Sequence, residues 1–312
     1  NTYNILKLIR SKNIGPISFK FLLNKYGTAE RALDNINISK VPSDIDLNTE
    51  IELTYKENAN YLLCDKMFIN IIDAPPILIY KGNIDLLKKS LISIVGTRKP
   101  SIIGIKFTEE IVHYLNHKFF TTVSGMAMGI DSKVHMNSIN NSIGIIPGPI
   151  NDFYPYENIA LYNAMLENSL LLTEIPIGQK IHKGSFPQRN RLIASISSGT
   201  IVTESTFTSG AVDTGKKALK YGKYVFAVPG HPKDIRYGGN NLLIKNGARM
   251  LTDLTDLDIL STCFANDNNN INIIEDDNIY EQDIMNLLSI TPIHIDEISK
   301  NTNIPINVLL SV

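Results

Sequence analysis

Lys183-Gly184-Ser185-Phe186-Pro187-Gln188-Arg189-Asn190-Arg191 sets three cations, an aromatic ring and a proline-restrained backbone directly before the apolar run Leu192-Ile193-Ala194. Guanidinium forks match phosphate oxygens, and a phenyl ring offers a face on which a base stacks. The chemistry is the holding of a polyanion rather than the making of bonds. A solvated basic loop has the same composition, so the reading depends on the company this run keeps.

That company is a set of small-residue turns. Gly96-Thr97-Arg98-Lys99-Pro100-Ser101 carries a charged fork and opens a helix, where free backbone N–H groups suit an anion. Ser124-Gly125-Met126-Ala127-Met128-Gly129-Ile130-Asp131 repeats the idea, with Asp131 placed to cap the next helix. Thr203-Glu204-Ser205 and Ser209-Gly210-Ala211-Val212-Asp213-Thr214-Gly215 form a fourth, and Val228-Pro229-Gly230 with Gly238-Gly239-Asn240-Asn241 a fifth.

The elements that must position these turns follow from periodicity. Short β-branched runs at 91–95, 121–124, 143–146, 170–173, 200–203 and 224–228 alternate with helix-length amphipathic segments near 104–117, 131–140, 156–168, 188–197 and 211–221. Buried strands alternating with helices predict an α/β domain with a parallel sheet covered by helices, and ligands then bind outside the carboxyl ends of the strands. Residues 1–65 read as a small helical domain, in which Asn13-Ile14-Gly15-Pro16 links two helices as in a helix-hairpin-helix unit. Asn13 takes the place of the first glycine, since Asn enters the left-handed region readily. The Rossmann-like body spans 66–262, an Asn/Asp-rich linker 263–278, and a partial winged-helix-like segment of three short helices 279–312.

At 312 residues, with 43% hydrophobic and 20% charged residues, the composition is that of an ordinary multidomain globular protein. No run approaches a membrane span, no basic-then-apolar leader opens the sequence, and Cys64 and Cys263 lack metal-ligand spacing; a cytoplasmic location is expected. The net charge of −1 hides a split. Residues 1–249 hold 29 Lys/Arg against 20 Asp/Glu, while residues 250–312 hold one cation against 11 acids. A basic body joined to an acidic tail is the pattern of an anion binder with a separate interaction or self-shielding segment.

Taken in order, the motifs resemble the DprA, or Smf, family of bacterial DNA-processing proteins. Gly96-Thr97-Arg98 corresponds to its G-S-R motif and 124–131 to S-G-x-A-x-G-I-D. Residues 186–194 correspond to F-P-x-R-N-R-x-I-A, 209–214 to S-G-x-x-x-T, 226–230 to F-A-V-P-G and 239–244 to G-x-N-x-L-I. The resemblance covers about residues 70–255 and implies an extended Rossmann-like fold. It also implies a non-enzymatic protein that binds single-stranded DNA, forms a homodimer and loads RecA in transformation or recombination, without cofactor, metal or membrane. Arg98, Lys99, Lys183, Arg189 and Arg191 are the expected phosphate contacts, and Phe186 either stacks a base or anchors its loop. Gly125, Gly129, Gly210 and Gly239 are expected to let the strand approach the backbone, with Asn190, Ser209 and Asn240 beside them. The sequence departs from the family at Met128, where Arg or Lys is usual, at Asp213, where an aliphatic residue is common, and at Ile146-Pro147-Gly148-Pro149.

The rival with most substance is a nucleotide hydrolase of the lysine-decarboxylase-like (phosphoribohydrolase) type, from the same Rossmann-like superfamily. Those enzymes use a P-G-G-x-G-T-x-x-E loop, which this chain lacks. Glu204, at a strand end, could serve as a lone acid, but it is expected to orient Arg189 or Arg191. No G-x-G-x-x-G follows a strand and no P-loop lysine is present, so neither a dinucleotide nor ATP hydrolysis is supported. Asp131 and His135 stand four apart on a helix, too few for a metal site and better read as a cap and a helix-face histidine. His182, beside Lys183, reads as a phosphate contact rather than a base.

Overall fold

The computed structural model describes residues 2–64, 67–68, 71–264, 294–302, 304 and 306–309. The chain divides into two compact units, one of residues 1–79, 176–178 and 273–312, the other of residues 80–175 and 179–272.

In the first unit, four helices are set by their boundary residues: α1 (Thr2–Ile9), α2 (Pro16–Tyr26), α3 (Ala29–Asp34) and α4 (Asp44–Lys56). Pro16 opens α2 with its fixed φ, and Gly27 closes it at φ 84°. Thr28 and Ser43 cap α3 and α4, accepting from the backbone N–H of Arg31 and Asp46 at 3.3 and 3.1 Å. Leu8, Phe19, Ala29 and Ala32 form the shared core of the first three helices. Asn13 does enter the left-handed region, at φ 63°. A short strand, β1 (Asn60–Leu63), follows α4. Two short helices at Ile295–Thr302 and Ile306–Leu309 match the last two expected of the winged-helix-like segment; the first, at 279–288, lies outside the described residues, as does the linker from residue 265.

β2 (Ile77–Gly82) crosses the division and was not anticipated. The second unit carries β3 (Leu91–Val95), β4 (Thr121–Ser124), β5 (Ser142–Ile145), β6 (Leu170–Thr173), β7 (Gly199–Val202), β8 (Tyr224–Ala227) and β9 (Arg249–Met250). These lie in the order β6-β5-β4-β3-β7-β8-β9, and every neighbouring pair is parallel. Between them run α5 (Ile102–His117), α6 (Ile130–Met136), α7 (Ile159–Asn168), α8 (Ser185–Ile196), α9 (Gly210–Lys220) and α10 (Gly238–Lys245), with α11 (Asp258–Phe264) after β9. The fold is an α/β Rossmann-like sheet covered by helices. Strands β3 to β7 are buried along their whole length, which is why they read as unbroken apolar or β-branched runs. Ile92, Ile94, Ile111, Val112, Ile201 and Phe226 are among the side chains of the core they share with α5. No described helix is long and apolar enough to cross a membrane.

The order carries the functional consequence. From β3 the chain adds β4, β5 and β6 on one side, then returns to place β7, β8 and β9 on the other. Connections leaving β3 and β7 therefore diverge, and a crevice opens between them at the carboxyl ends of the strands.

Candidate nucleic-acid interface

That crevice is a cleft of about 720 Å³, whose lining includes Arg98, Lys99, Phe186, Arg189, Asn190 and Ser209. One wall is the loop after β3. Its backbone is welded to the loop after β7 by Glu204, a fully buried carboxylate. Ser101 donates to Glu204 Oε2 through its backbone N–H at 3.1 Å and its hydroxyl at 2.7 Å, while Thr97 N–H donates to the Glu204 carbonyl at 2.7 Å. The same Ser101 hydroxyl caps α5 by accepting from Gly104 N–H at 3.0 Å. Held this way, the loop leaves Arg98 and Lys99 exposed. Glu204 thus does not orient Arg189 or Arg191, as its neighbourhood in sequence led us to expect; it is a clamp between the two loops at the switch point.

The opposite wall is α8. Residues 185–191 are not a loop but the first two turns of this helix, and the helix decides where the cations go. Arg189 is only 6% exposed. Its Nη1 donates to the Ile145 carbonyl at 2.6 Å and to the Gly125 carbonyl, closing the ends of β5 and β4, and its Nε donates to Asn190 Oδ1 at 3.1 Å. Burial lowers its pKa to about 10, opposed by the Asp131 carboxylate and helped by the Arg98 charge. Asp131 is itself buried, and desolvation raises its pKa against the pull of Arg189. Arg191, also 6% exposed, pairs through Nη2 with Glu174 at 2.7 and 2.5 Å. Both arginines were expected on phosphate; both have protein partners instead, although Arg189 still lines the cleft.

Lys183 is exposed just before α8. Phe186 is half-buried, with the Arg98 guanidinium 5.5 Å from its ring centroid and Tyr154 edge-on at 6.0 Å. Asn190 Nδ2 donates to the Gly210 carbonyl at 3.3 Å, and Ser209 caps α9 by accepting from Val212 N–H at 3.3 Å.

The glycines divide sharply when a Cβ is imagined on each. At Gly125 it would strike the Arg189 guanidinium; at Gly129, which also sits at φ 84°, it would strike the backbone of Thr97 and Arg98. At Gly239 it would meet the Thr206 carbonyl at 2.5 Å. These three make room for the protein's own packing, not for a strand. Gly210 is the least crowded of the four: a Cβ there would meet one side-chain atom, Asn190 Nδ2, at 3.3 Å, a tight contact that this side chain must yield to by a few tenths of an ångström. Asn240 is likewise a strut: fully buried, it donates to the carbonyls of Val202, Thr203 and Val228 at 2.9, 3.1 and 2.9 Å and accepts from Ser205 at 2.6 Å.

Residues the sequence did not single out also reach the cleft: Thr206, Thr208 and Arg236, the last paired with Asp234 at 2.6 Å. Only the general excess of cations in residues 1–249 pointed to Arg236. Asp213 lines the cleft but pairs with Lys217 one turn on. Met128 is 43% exposed beside Arg98. Asp131 does not cap α6, whose N-cap is Gly129. His135 is fully buried, its Nδ1 2.7 Å from the Ser142 hydroxyl, and the described residues contain no metal-ligand cluster.

Residues 54–261 match the family model described as DNA recombination-mediator protein A, and residues 1–39 match a DprA-like N-terminal HHH domain. The chain is 38% identical over 190 residues to the DNA processing protein DprA of Streptococcus pneumoniae, covering 60% of this chain and 67% of that protein. It is 38% identical over 192 residues to the Bacillus subtilis DprA, covering 60% of this chain and 65% of that one. Among solved structures it resembles DNA processing protein A from S. pneumoniae (TM-score 0.71, 29% identity, 83% of this chain and 97% of that chain). It also resembles the Helicobacter pylori protein, described for its single-stranded DNA binding mode (TM-score 0.62, 27% identity, 66% of this chain and 96% of that chain). The chain belongs to the DNA recombination-mediator protein A family.

Proposed function

Starting from that membership, we propose that the chain is a single-stranded DNA-binding recombination mediator without enzymatic activity, and that the cleft between the loops after β3 and β7 holds the strand. The observation that carries this reading is the pair Arg98 and Lys99: exposed cations on a loop whose backbone is fixed from behind by Glu204. Lys183 extends the contact at the start of α8. Arg189 contributes its field from beneath, as an interior cation beside the cleft. Pairing of two copies and delivery of the strand to RecA complete the proposal and are supported by the family resemblance. The hydrolase alternative needs a carboxylate free to act. Here Glu204 is held by Ser101 and Asp131 faces Arg189, which favours a binding site.

Mobility shifts on single- and double-stranded oligonucleotides across a salt series test the reading. Single strands should be preferred, with affinity falling linearly in log salt. The double variant Arg98→Ala/Lys99→Ala should flatten that slope by roughly 1.4, at about 0.7 per phosphate on a single strand. Equal binding to duplex, or an unchanged slope in a folded variant, overturns the assignment. Release of free base from nucleoside monophosphates would instead establish the hydrolase.

A further inference from the structure

Three aromatic rings lead outward from the cleft. Phe186 and Tyr154 have centroids 6.0 Å apart at 78°, and Tyr154 and Tyr156 follow at 6.5 Å and 80°. The inner ring has one face occupied by Arg98. The outer two are open, Tyr154 at 43% and Tyr156 at 67% exposure. Side chains alternate along this segment: Phe153 and Pro155 are buried, and Phe153 stacks on Tyr162 at 4.3 Å, whereas Tyr154 and Tyr156 point out. The buried pair, with Asn158 donating to the Met126 carbonyl at 3.0 Å, fixes the shelf to the body that carries the cleft. Core packing accounts for Phe153; the two exposed tyrosines meet their neighbours edge-on, and Tyr156 donates its hydroxyl to Asp152 at 3.5 Å.

Charge decides what can lie on such a shelf. Asp152 and Glu157 stand exposed beside the tyrosines, so a phosphate is disfavoured there, while Arg98 at the inner end attracts one. A strand leaving the cleft would keep its phosphates on the Arg98 side and turn its bases toward the rings. A small pocket of about 60 Å³ between Met128, Tyr154 and Phe186 shares Arg98 and Arg189 with the main cleft, so the two adjoin. We propose that Tyr154 and Tyr156 form a base-stacking shelf for the nucleobases that follow the nucleotide held in the cleft. This rests on the single-strand reading above. Every base has a π face, so the shelf is tolerant of sequence. A basic peptide is the rival occupant, since acids and rings together also attract cations.

The chain contains no tryptophan, so Tyr156→Trp introduces a single indole at the shelf. Oligothymidine should quench its fluorescence, and an abasic oligonucleotide of equal length should not. Tyr154→Ala and Tyr156→Ala should each weaken oligothymidine binding roughly five- to a hundredfold, the range for loss of one stacked base. The salt slope should stay as in wild type, because no phosphate contact is removed; Tyr156→Phe should bind like wild type. If wild type binds oligothymidine with the expected salt slope but the alanine variants bind equally well and the indole is unquenched, the shelf is overturned and the cleft stands. Quenching by oligolysine but not by DNA overturns it in favour of the peptide. No binding of any single strand by wild type removes the cleft reading and the shelf together.

Discussion

The loop after β3 and the opening turns of α8 each carry two cations, and they send them in opposite directions. Arg98 and Lys99 are exposed because the loop is held through its backbone and through Ser101, chiefly by Glu204. Arg189 and Arg191 are enclosed because a helix advances about 100° per residue, so side chains two apart leave on opposite sides. One side meets the strand-end carbonyls of Gly125 and Ile145, the other meets Glu174. The first pair is available to a ligand. The second pair holds the strand ends and the start of α8 in place so that the first pair stays where it is.

The largest expected effect separates the two pairs by stability. Removing Arg189 takes its guanidinium from the buried Asp131 and from two strand-end carbonyls, and removing Arg191 takes its guanidinium from the half-buried Glu174. Arg189→Ala should cost roughly 3–5 kcal/mol, the usual scale for breaking a buried charge pair from one side, and Arg191→Ala less, because Glu174 keeps some exposure to solvent. Arg98→Ala and Lys99→Ala should stay within about 0.5 kcal/mol of wild type. Urea unfolding midpoints decide it, and equal midpoints for all four variants would erase the distinction between inner and outer cations.

The glycines extend the comparison at a smaller scale. Gly129→Ala forces a Cβ at positive φ into the backbone of Thr97 and Arg98, and should lose roughly 2–3 kcal/mol of stability, the upper part of the range for single substitutions. Gly210→Ala should fold with a small shift of Asn190 and weaken single-strand binding, because Gly210 lines the cleft. A Gly210→Ala protein that binds as wild type would move the strand away from the start of α9.

Most of the sheet was legible because strands buried on both faces leave continuous short runs, and each expected run from 91 to 228 became a strand within one residue. β2 escaped because Ala74-Pro75-Pro76 precedes it and blurred its start. The site was legible as a location, since strand ends and small-residue turns coincide in sequence. Its division of labour was not. Nothing local distinguishes Arg98 from Arg189; the difference is made by Gly125, Ile145 and Glu174, contributed by other strands. Asn240 and Gly239 likewise stand in a loop-like motif, yet serve contacts with residues near 202–206 and 228. The edge-to-face line of Tyr154 and Tyr156 depends on a contact across some thirty residues to Phe186 that no spacing rule reveals.

An interior that accommodates Arg189 has little tolerance for a second positive charge nearby. His135 shows this: desolvation, then the Arg189 charge, lowers its pKa to about 3. The unfolded chain takes up that proton near pH 6.5, so it binds more protons than the folded state below that value, and stability falls as pH falls. The expected slope from this group is up to about 1.4 kcal/mol per pH unit between about pH 6 and 4. Asp131, with a raised pKa, acts in the opposite sense just above the normal carboxylate range. His135→Gln should therefore be less stable at pH 7 yet show a flatter decline. Urea melts at half-unit pH intervals for both proteins provide the check; parallel declines would assign the acid sensitivity to another group.

Met128 offers the finest test of which surface meets the strand. It is exposed and lies beside Arg98 and Tyr154. If the outer cations define the ligand path, a guanidinium added here joins them rather than the interior set, since Met128 is exposed whereas Arg189 and Arg191 are enclosed. Met128→Arg should then tighten single-strand binding by about 1 kcal/mol, the scale of one net hydrogen bond, and steepen the salt slope by roughly 0.7. Stability should change little, as an exposed side chain replaces another. Tighter binding with an unchanged slope would mean that the new side chain stacks on a base next to Tyr154 instead of meeting a phosphate, which extends the shelf inward. No change in either quantity would place the strand on the Lys99 side of the loop, away from Met128, and would narrow the path to the cleft itself.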